Sequence, residues 1–151
     1  MQSNELSDFI KKIPSLKNHF VGVFAIDLLP ETIENRQFLF CNTAPHNEIG
    51  EHWFCLSKIN NEIEVFDSLG VDDAKKDLLR KFCKIKTKRK LKINDTAVQS
   101  RTSTSCGLFV LYFAINRFHN ADLGFNTLLN EIFSFDVSLN EQLVSEFCQT
   151  F

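Results

Sequence analysis

Cys106 is the residue of this sequence whose type and surroundings are best suited to chemistry. Gly107 follows it, an uncharged apolar run continues to Ile115, and four hydroxyl residues at positions 102–105 precede it. Hydroxyl residues before an apolar run are typical of the N-terminus of a helix, here a buried one. Unpaired backbone N–H groups and the positive end of the helix dipole favour a thiolate at that position. The pattern therefore predicts a reactive cysteine at the head of a buried helix.

Three polar residues earlier in the chain are of the types that support a cysteine nucleophile. His52 can take the thiol proton as a base and later return it to the leaving amine. Asp67 can hold the imidazole in the required tautomer. Gln99, seven residues before Cys106, can donate its amide to the oxyanion beside the backbone N–H of Cys106. These residue types predict peptide-bond hydrolysis through a thioester acyl-enzyme.

A β-hairpin is predicted to bring two of these residues together. Residues 52–56 are predicted to form a strand, and residues 62–66 alternate acidic and apolar side chains with the period of two that is typical of strands. Asn60-Asn61 predicts a tight turn between them. His52 near the start of the first strand would then meet Asp67 at the end of its antiparallel partner.

The rest of the chain predicts one α+β domain over residues 1–151. Apolar residues recur three and four positions apart in four further segments, which predict a short helix ending at Pro14 and helices over residues 71–84, 123–133 and 139–147. Two more buried strands are predicted at residues 20–26 and 37–41, and the basic segment 84–93 is predicted to end in a strand. The expected architecture is a central mixed β-sheet flanked by helices.

Length, charge and cysteine content argue against several classes of protein. With 151 residues the chain can bury a core without disulfides or metal. A net charge of −2 argues against nucleic-acid binding by the whole surface. The polar, acidic first residues are unlike a signal or transit peptide, and no apolar run reaches the roughly 18–20 residues of a membrane span. Five cysteines without a Cys-x-x-Cys motif predict free thiols in a reducing compartment and no metal site.

Four groups of residues occur in the order and approximate spacing of a known protease family. They are Cys41-Asn42-Thr43-Ala44, Gly50-Glu51-His52-Trp53, Phe66-Asp67-Ser68-Leu69-Gly70, and Gln99-Ser100 with Ser105-Cys106-Gly107-Leu108-Phe109. These segments resemble the adenovirus-type cysteine endopeptidases (adenain), within the wider clan of proteases that process SUMO and similar modifiers. The resemblance implies that clan's fold, which is permuted relative to papain. It also implies catalytic roles for His52, Asp67, Gln99 and Cys106.

The same four residues have structural interpretations when each is taken alone. Cys106 could be an inert core cysteine, and His52 a surface histidine at the end of a strand. Asp67 could cap the turn at residues 68–70, and Gln99 could be an ordinary amide in a polar loop. Their presence as a set in the order of the family favours the catalytic interpretation.

The resemblance also implies a biological role. The substrates would be viral capsid or core precursors cut after small residues, often at glycine-containing sites. The short chain suggests a relative from a Maverick/Polinton-type element or a virophage. We expect a monomer that works in the virion and the infected-cell interior, in a cytoplasmic virus factory or the nucleus. Two other interpretations are a deconjugating protease for a Gly-Gly-ended ubiquitin-like modifier and a catalytically inactive binding module.

The sequence departs from the family at two positions. Asp67 stands where adenovirus enzymes typically carry Glu and SUMO-type enzymes carry Asp, which leaves its role intact but loosens the subfamily assignment. Adenovirus enzymes are activated by a short viral peptide that forms a disulfide with a cysteine a little upstream of the Gln. Here the Lys88 region lies at that offset and Cys83 is the nearest thiol. We therefore expect any peptide activator to bind without a covalent link.

A basic segment precedes the last predicted strand and includes Lys84, Lys86, Lys88, Arg89 and Lys90. One interpretation is a solvated strand or loop face. Because adenovirus enzymes use DNA as a cofactor, the resemblance implies a polyanion contact as the other. No aromatic residue is interleaved, so such binding would be electrostatic and non-specific. The sequence itself requires no cofactor, and DNA or a viral peptide are the activators that the resemblance implies.

Overall fold

The structure, a computed structural model, describes residues 1–44, 46–47, 52–85 and 90–151. Within these residues, five strands form one mixed sheet. In sheet order they are β1 (Phe20–Ala25), β2 (Gln37–Asn42), β3 (Trp53–Ile59), β4 (Glu62–Phe66) and β5 (Lys92–Ile93). The helices of the same residues are α1 (Ser3–Lys11), α2 (Pro14–Lys17), α3 (Asp73–Phe82), α4 (Cys106–His119), α5 (Phe125–Ile132) and α6 (Val137–Cys148). The α+β prediction of a mixed sheet flanked by helices is confirmed.

The predicted hairpin forms the centre of the sheet. β3 pairs antiparallel with both β2 and β4, while β1 runs parallel to β2 and β5 parallel to β4. Asn60 and Asn61 both have positive φ, 51° and 61°, as a two-residue turn with the twist of the flanking strands requires. The start of β3 and the end of β4 therefore lie at the same end of the sheet.

Helices cover both faces of the sheet, so its central strands are buried on both sides. Phe38 and Phe40 of β2 belong to the cluster that contains α1, α4, α5 and α6. Leu39 and Cys41, which point the other way, belong to the cluster that includes Leu79 of α3. Coverage on both faces explains why β2 and β3 are nearly continuous apolar runs, as is typical of buried strands. The helix that begins at Cys106 is thus held against the sheet along its length.

A buried ion pair links α4 to β4. Arg117 Nε and Nη2 donate to the two carboxylate oxygens of Glu64, each at 2.8 Å, and both side chains are about 2% exposed. The third guanidinium nitrogen, Nη1, donates to the carbonyl oxygens of Asn120 and Leu123 at 3.1 and 2.8 Å. This bidentate geometry satisfies the charges that packing has taken out of water.

The predicted helices are present, with shifted ends. The first helix ends at Lys11, and a separate short helix begins at Pro14 because proline is favoured in the first turn, where its missing N–H costs nothing. The helix predicted over residues 71–84 begins at Asp73, since Asp72 Oδ1 accepts the Lys75 N–H at 2.9 Å and acts as the N-cap.

The basic segment is described only in part. Lys84 and Lys90 are exposed, whereas Lys86, Lys88 and Arg89 lie outside the described residues, as do Gly50 and Glu51 of the family-like segments. The predicted strand at its end is β5, which is only two residues long. No helix of the described residues is long and apolar enough to cross a membrane.

The buried ion pair gives a prediction about stability. Arg117→Ala should lower the free energy of unfolding by about 3–5 kcal/mol, because it leaves the Glu64 carboxylate buried without its partner. Urea unfolding monitored by circular dichroism measures the change. The matched control is Arg80→Ala, which breaks an exposed ion pair with Asp77 and should cost at most about 1 kcal/mol. Equal losses of unfolding free energy in the two variants would contradict a larger contribution from the buried ion pair.

Candidate active site

His52 and Asp67 meet at the end of the sheet where the hairpin strands begin and end. His52 directly precedes β3, and Asp67 directly follows β4. His52 Nε2 lies 2.6 Å from Asp67 Oδ1, and both residues are buried. A carboxylate at that distance fixes both the orientation and the tautomer of the ring, which leaves the other ring nitrogen for a second partner.

Cys106 is that second partner. It is the first residue of α4, it is half-buried, and its thiol is hydrogen-bonded to the His52 ring. The backbone N–H groups of Trp53 and Gly107 also contact its sulfur. The structure therefore brings the predicted nucleophile, base and carboxylate into one row.

The environment of this row favours separated charges. Burial opposes the thiolate, but the hydrogen bond from His52 and the two backbone N–H groups outweigh it, so the pKa of Cys106 is lowered. Burial likewise opposes the imidazolium, yet hydrogen bonds to Asp67 and Cys106 raise the pKa of His52 to about 9. Both shifts favour a thiolate–imidazolium pair, the reactive form of a cysteine nucleophile.

Asp67 is held by backbone contacts on several sides. Leu69 N–H donates to Asp67 Oδ1 at 2.8 Å. Asp67 therefore caps the turn at residues 68–70 and contacts His52 at the same time. The side chain of Asn94 pairs with the Asp67 backbone twice: its Oδ1 accepts the N–H at 2.9 Å and its Nδ2 donates to the carbonyl at 2.6 Å. Sequence reasoning missed Asn94, because a single Asn beside a short strand carries no distinctive pattern.

Gln99 is buried in the loop that leads to α4. Its Oε1 accepts a hydrogen bond from Ser68 Oγ at 2.5 Å, and its Nε2 donates to the Ser103 carbonyl at 3.1 Å. The Ser68 carbonyl also accepts the N–H groups of Val98 and Gln99, at 2.8 and 3.0 Å. The oxygen of the amide is thus fixed on Ser68, and its nitrogen faces the loop that precedes Cys106.

Gly107 has a steric reason to be glycine. A Cβ at this position would lie 2.9 Å from Met1 Cβ, closer than real Cβ atoms approach, and 3.1 Å from the Met1 sulfur, which is also a tight contact. Trp53 holds Met1 in place, since its indole N–H donates to the Met1 carbonyl at 3.1 Å. Gly107 and Trp53 therefore both lie against Met1.

The sequence that forms this site matches a known protein family. The model of the adenovirus endoprotease family matches residues 20–146. The chain belongs to this family. The resemblance inferred from the sequence is confirmed, and with it the assignment to the cysteine peptidases, a class of hydrolases. None of the curated proteins compared with the sequence matches it.

The family match covers every element of the sheet and the site. The matched residues run from the start of β1 into α6 and include His52, Asp67, Gln99 and Cys106. Protein substrates follow from membership of an endoprotease family. Within this matched region the Asp67 carboxylate lies beside the His52 imidazole.

A separate groove lies on the α3 side of the sheet. It has a volume of about 800 Å³ and is bordered by α3, β5 and the start of α5. Its described lining includes Arg80, Cys83, Lys90 and Lys92 and none of the four site residues. In the part of the chain that the structure describes, no group of three His, Cys, Asp or Glu side chains could hold a metal ion.

The cysteine environments predict selective alkylation. Iodoacetamide should modify Cys106 first, because the pKa of its thiol is lowered while burial raises the pKa of Cys41, Cys55, Cys83 and Cys148. Mass spectrometry after brief treatment of the native protein measures the order of modification.

His52→Ala provides the control for this prediction. It removes the group that stabilises the thiolate and should slow modification of Cys106 without accelerating that of the other cysteines. Modification of another cysteine ahead of Cys106 in the folded wild-type protein would contradict the proposed site.

Proposed function

We propose that this protein is a maturation endopeptidase that cleaves viral capsid or core precursor proteins. The observation that carries the proposal is the row of Cys106, His52 and Asp67 at the head of α4, with His52 Nε2 2.6 Å from Asp67 Oδ1. Membership of the adenovirus endoprotease family supports the substrate class. Its place of action would be the virion and the infected-cell interior, as a monomer.

Each residue has a defined part in the proposed reaction. The Cys106 thiolate attacks the scissile carbonyl carbon while His52 holds the proton taken from the thiol. The tetrahedral intermediate collapses as the C–N bond breaks and His52 protonates the leaving amine. Water then gives a proton to His52 and attacks the thioester, which releases the carboxylate product and restores the thiol. Asp67 stabilises the imidazolium in both halves of the reaction.

Gln99 would stabilise the oxyanion together with the backbone N–H of Cys106. Support comes from its anchoring: Ser68 Oγ holds the amide oxygen, so the nitrogen, which can donate, faces the loop before Cys106. A donor fixed before the reaction stabilises developing charge without any cost of reorganisation. Ser68 would then be a positioning residue for the amide.

Cleavage of natural substrates tests the proposed function. The purified protein, incubated with capsid and core proteins of its source genome, should cut them at discrete sites that mass spectrometry maps. Cys106→Ala should produce none of the cuts.

The same protein preparation tests the deconjugase alternative. A Gly-Gly-ended ubiquitin-like activity probe should leave wild-type Cys106 unlabelled. Labelling of Cys106 by the probe, with no precursor cleavage, would support a deconjugating protease instead. The deconjugase alternative is tested because Asp67 is the residue type that SUMO-type enzymes carry at this position.

The oxyanion role predicts a rate effect. Gln99→Ala should lower kcat by about 10²–10³-fold, the usual cost of removing one oxyanion donor, with little change in KM. Ser68→Ala should lower kcat less, because the amide remains but loses its anchor. Steady-state kinetics on a mapped cleavage peptide measure both effects. Full activity in Gln99→Ala would remove this residue from the mechanism and leave the nucleophile assignment untouched.

A peptide activator, where one acts, would bind without a disulfide. Among the strands that the structure describes, β5 lies at the edge of the sheet next to the groove, so a peptide could add a strand there through main-chain hydrogen bonds. Cys83 lines the same groove, but burial raises its pKa and makes it a poor partner for disulfide exchange. DNA is the other candidate, through the exposed Lys84 and Lys90 and the basic residues between them.

Activation is tested by comparing the protein alone, with DNA and with virion peptides. We expect stimulation by peptide to be unchanged by reductant and by Cys83→Ser. Stimulation by DNA should weaken steeply as salt rises, because binding releases counterions from the polyanion. Stimulation that reductant and Cys83→Ser both abolish would show that a covalent link forms through Cys83.

A further inference from the structure

A cation lies on the side of Asp67 that faces away from His52. Lys75, in the first turn of α3, places its Nζ 2.8 Å from Asp67 Oδ2, and the two side chains are 22% and 1% exposed. One carboxylate oxygen therefore faces an imidazole and the other an ammonium group. The same Nζ donates to the Gly70 carbonyl at 3.0 Å.

The turn between β4 and α3 builds this contact. Gly70 N–H donates to the Asp67 carbonyl at 2.9 Å, and the N-cap Asp72 accepts the Lys75 N–H. Gly70 has a φ of +81°, and a Cβ there would lie 2.6 Å from the Asp95 carbonyl oxygen, so the turn cannot relax around a side chain. The position of Lys75 relative to Asp67 is thus set by backbone contacts.

The charges of the site balance only when Lys75 is included. In the reactive form the row carries a thiolate, an imidazolium and a carboxylate, which sum to one net negative charge. Lys75 makes the row alternate in sign and brings the sum to zero. Among the described residues, the contacts also place the Asp72 carboxylate beside Lys75, where a backbone N–H engages it.

The apolar surroundings of Asp67 and Lys75 increase the electrostatic contribution of the lysine. The small cavity beside Asp67 and Lys75 is lined largely by apolar side chains, among them Ile26, Phe54 and Val71. Apolar neighbours screen charges poorly, so an uncompensated charge is costly there. A cation in contact with the buried carboxylate offsets that cost.

We propose that Lys75 is a positioning residue that fixes the Asp67 carboxylate and balances the charge of the Cys106–His52–Asp67 row. This inference rests on the proposed function of that row. Removing the cation would disfavour the thiolate and favour the imidazolium, so the apparent pKa values of Cys106 and His52 would both rise. The pH range of reactivity would move to higher pH at both ends. A purely structural lysine would leave that range in place.

The test measures the rate of Cys106 alkylation as a function of pH, which requires no substrate. Lys75→Met removes the charge, whereas Lys75→Arg keeps it. Lys75→Met should slow alkylation about three- to tenfold on the acidic side, as expected for a shift of roughly half to one pH unit. Lys75→Arg should largely restore the wild-type profile. Lys81→Met, an exposed lysine on the same helix, is the matched control and should change nothing.

A second variant separates charge from folding. Lys75→Gln keeps a donor for the Gly70 carbonyl but has no charge, and circular dichroism verifies that each variant is folded. An unshifted profile in folded Lys75→Met or Lys75→Gln would overturn the proposal, as would failure of both variants to fold, which would make Lys75 a structural residue. Failure of the proposed function is distinguishable: absence of precursor cleavage would leave the alkylation profile and its shift in Lys75→Met in place, whereas an inactive row would show no preferential alkylation of wild-type Cys106.

Discussion

A charge-assisted hydrogen bond joins His52 Nε2 to Asp67 Oδ1 where the central hairpin ends. The geometry around it is organised to keep this bond in one place. The two asparagines of the hairpin turn set the register of β3 and β4, and Asn94 fixes the Asp67 backbone. Because the His52 ring is held in this way, its second nitrogen faces a single position. Cys106, the first residue of α4, places its thiol at that position.

Packing brings α4 to that position. At its end remote from the site, Arg117 is bound to Glu64 of β4, and near the middle Phe113 stacks on Phe66, the last residue of the same strand, at 4.4 Å between ring centroids. Because β4 continues directly into Asp67, the strand that carries the carboxylate also anchors the helix that carries the thiol. Separating the Cys106 thiol from the Asp67 carboxylate by moving α4 would therefore require these core contacts to break first.

The parts of this arrangement that could be predicted from the sequence are the local ones. Alternation over residues 62–66 and the Asn60-Asn61 turn are short-range patterns, and the family-like segments name four polar residues in order. The burial of Glu64 could not be predicted, because an acidic residue in an alternating strand indicates an exposed face until Arg117, 53 positions later, is brought against it. The supporting contacts of Ser68 and Lys75 likewise depend on tertiary structure, since both residues are common in turns and on helix surfaces.

The separation of the site residues along the chain affects the order in which the site can form. His52 and Asp67 are 15 residues apart and are joined by a local hairpin, whereas Cys106 lies 39 residues beyond Asp67. Contacts of low sequence separation cost little loop entropy, so the base and its carboxylate can assemble early in folding. The nucleophile joins them only when α4 docks. A partly folded chain that has formed the hairpin but not yet docked α4 would therefore hold the imidazole and its carboxylate without the thiol.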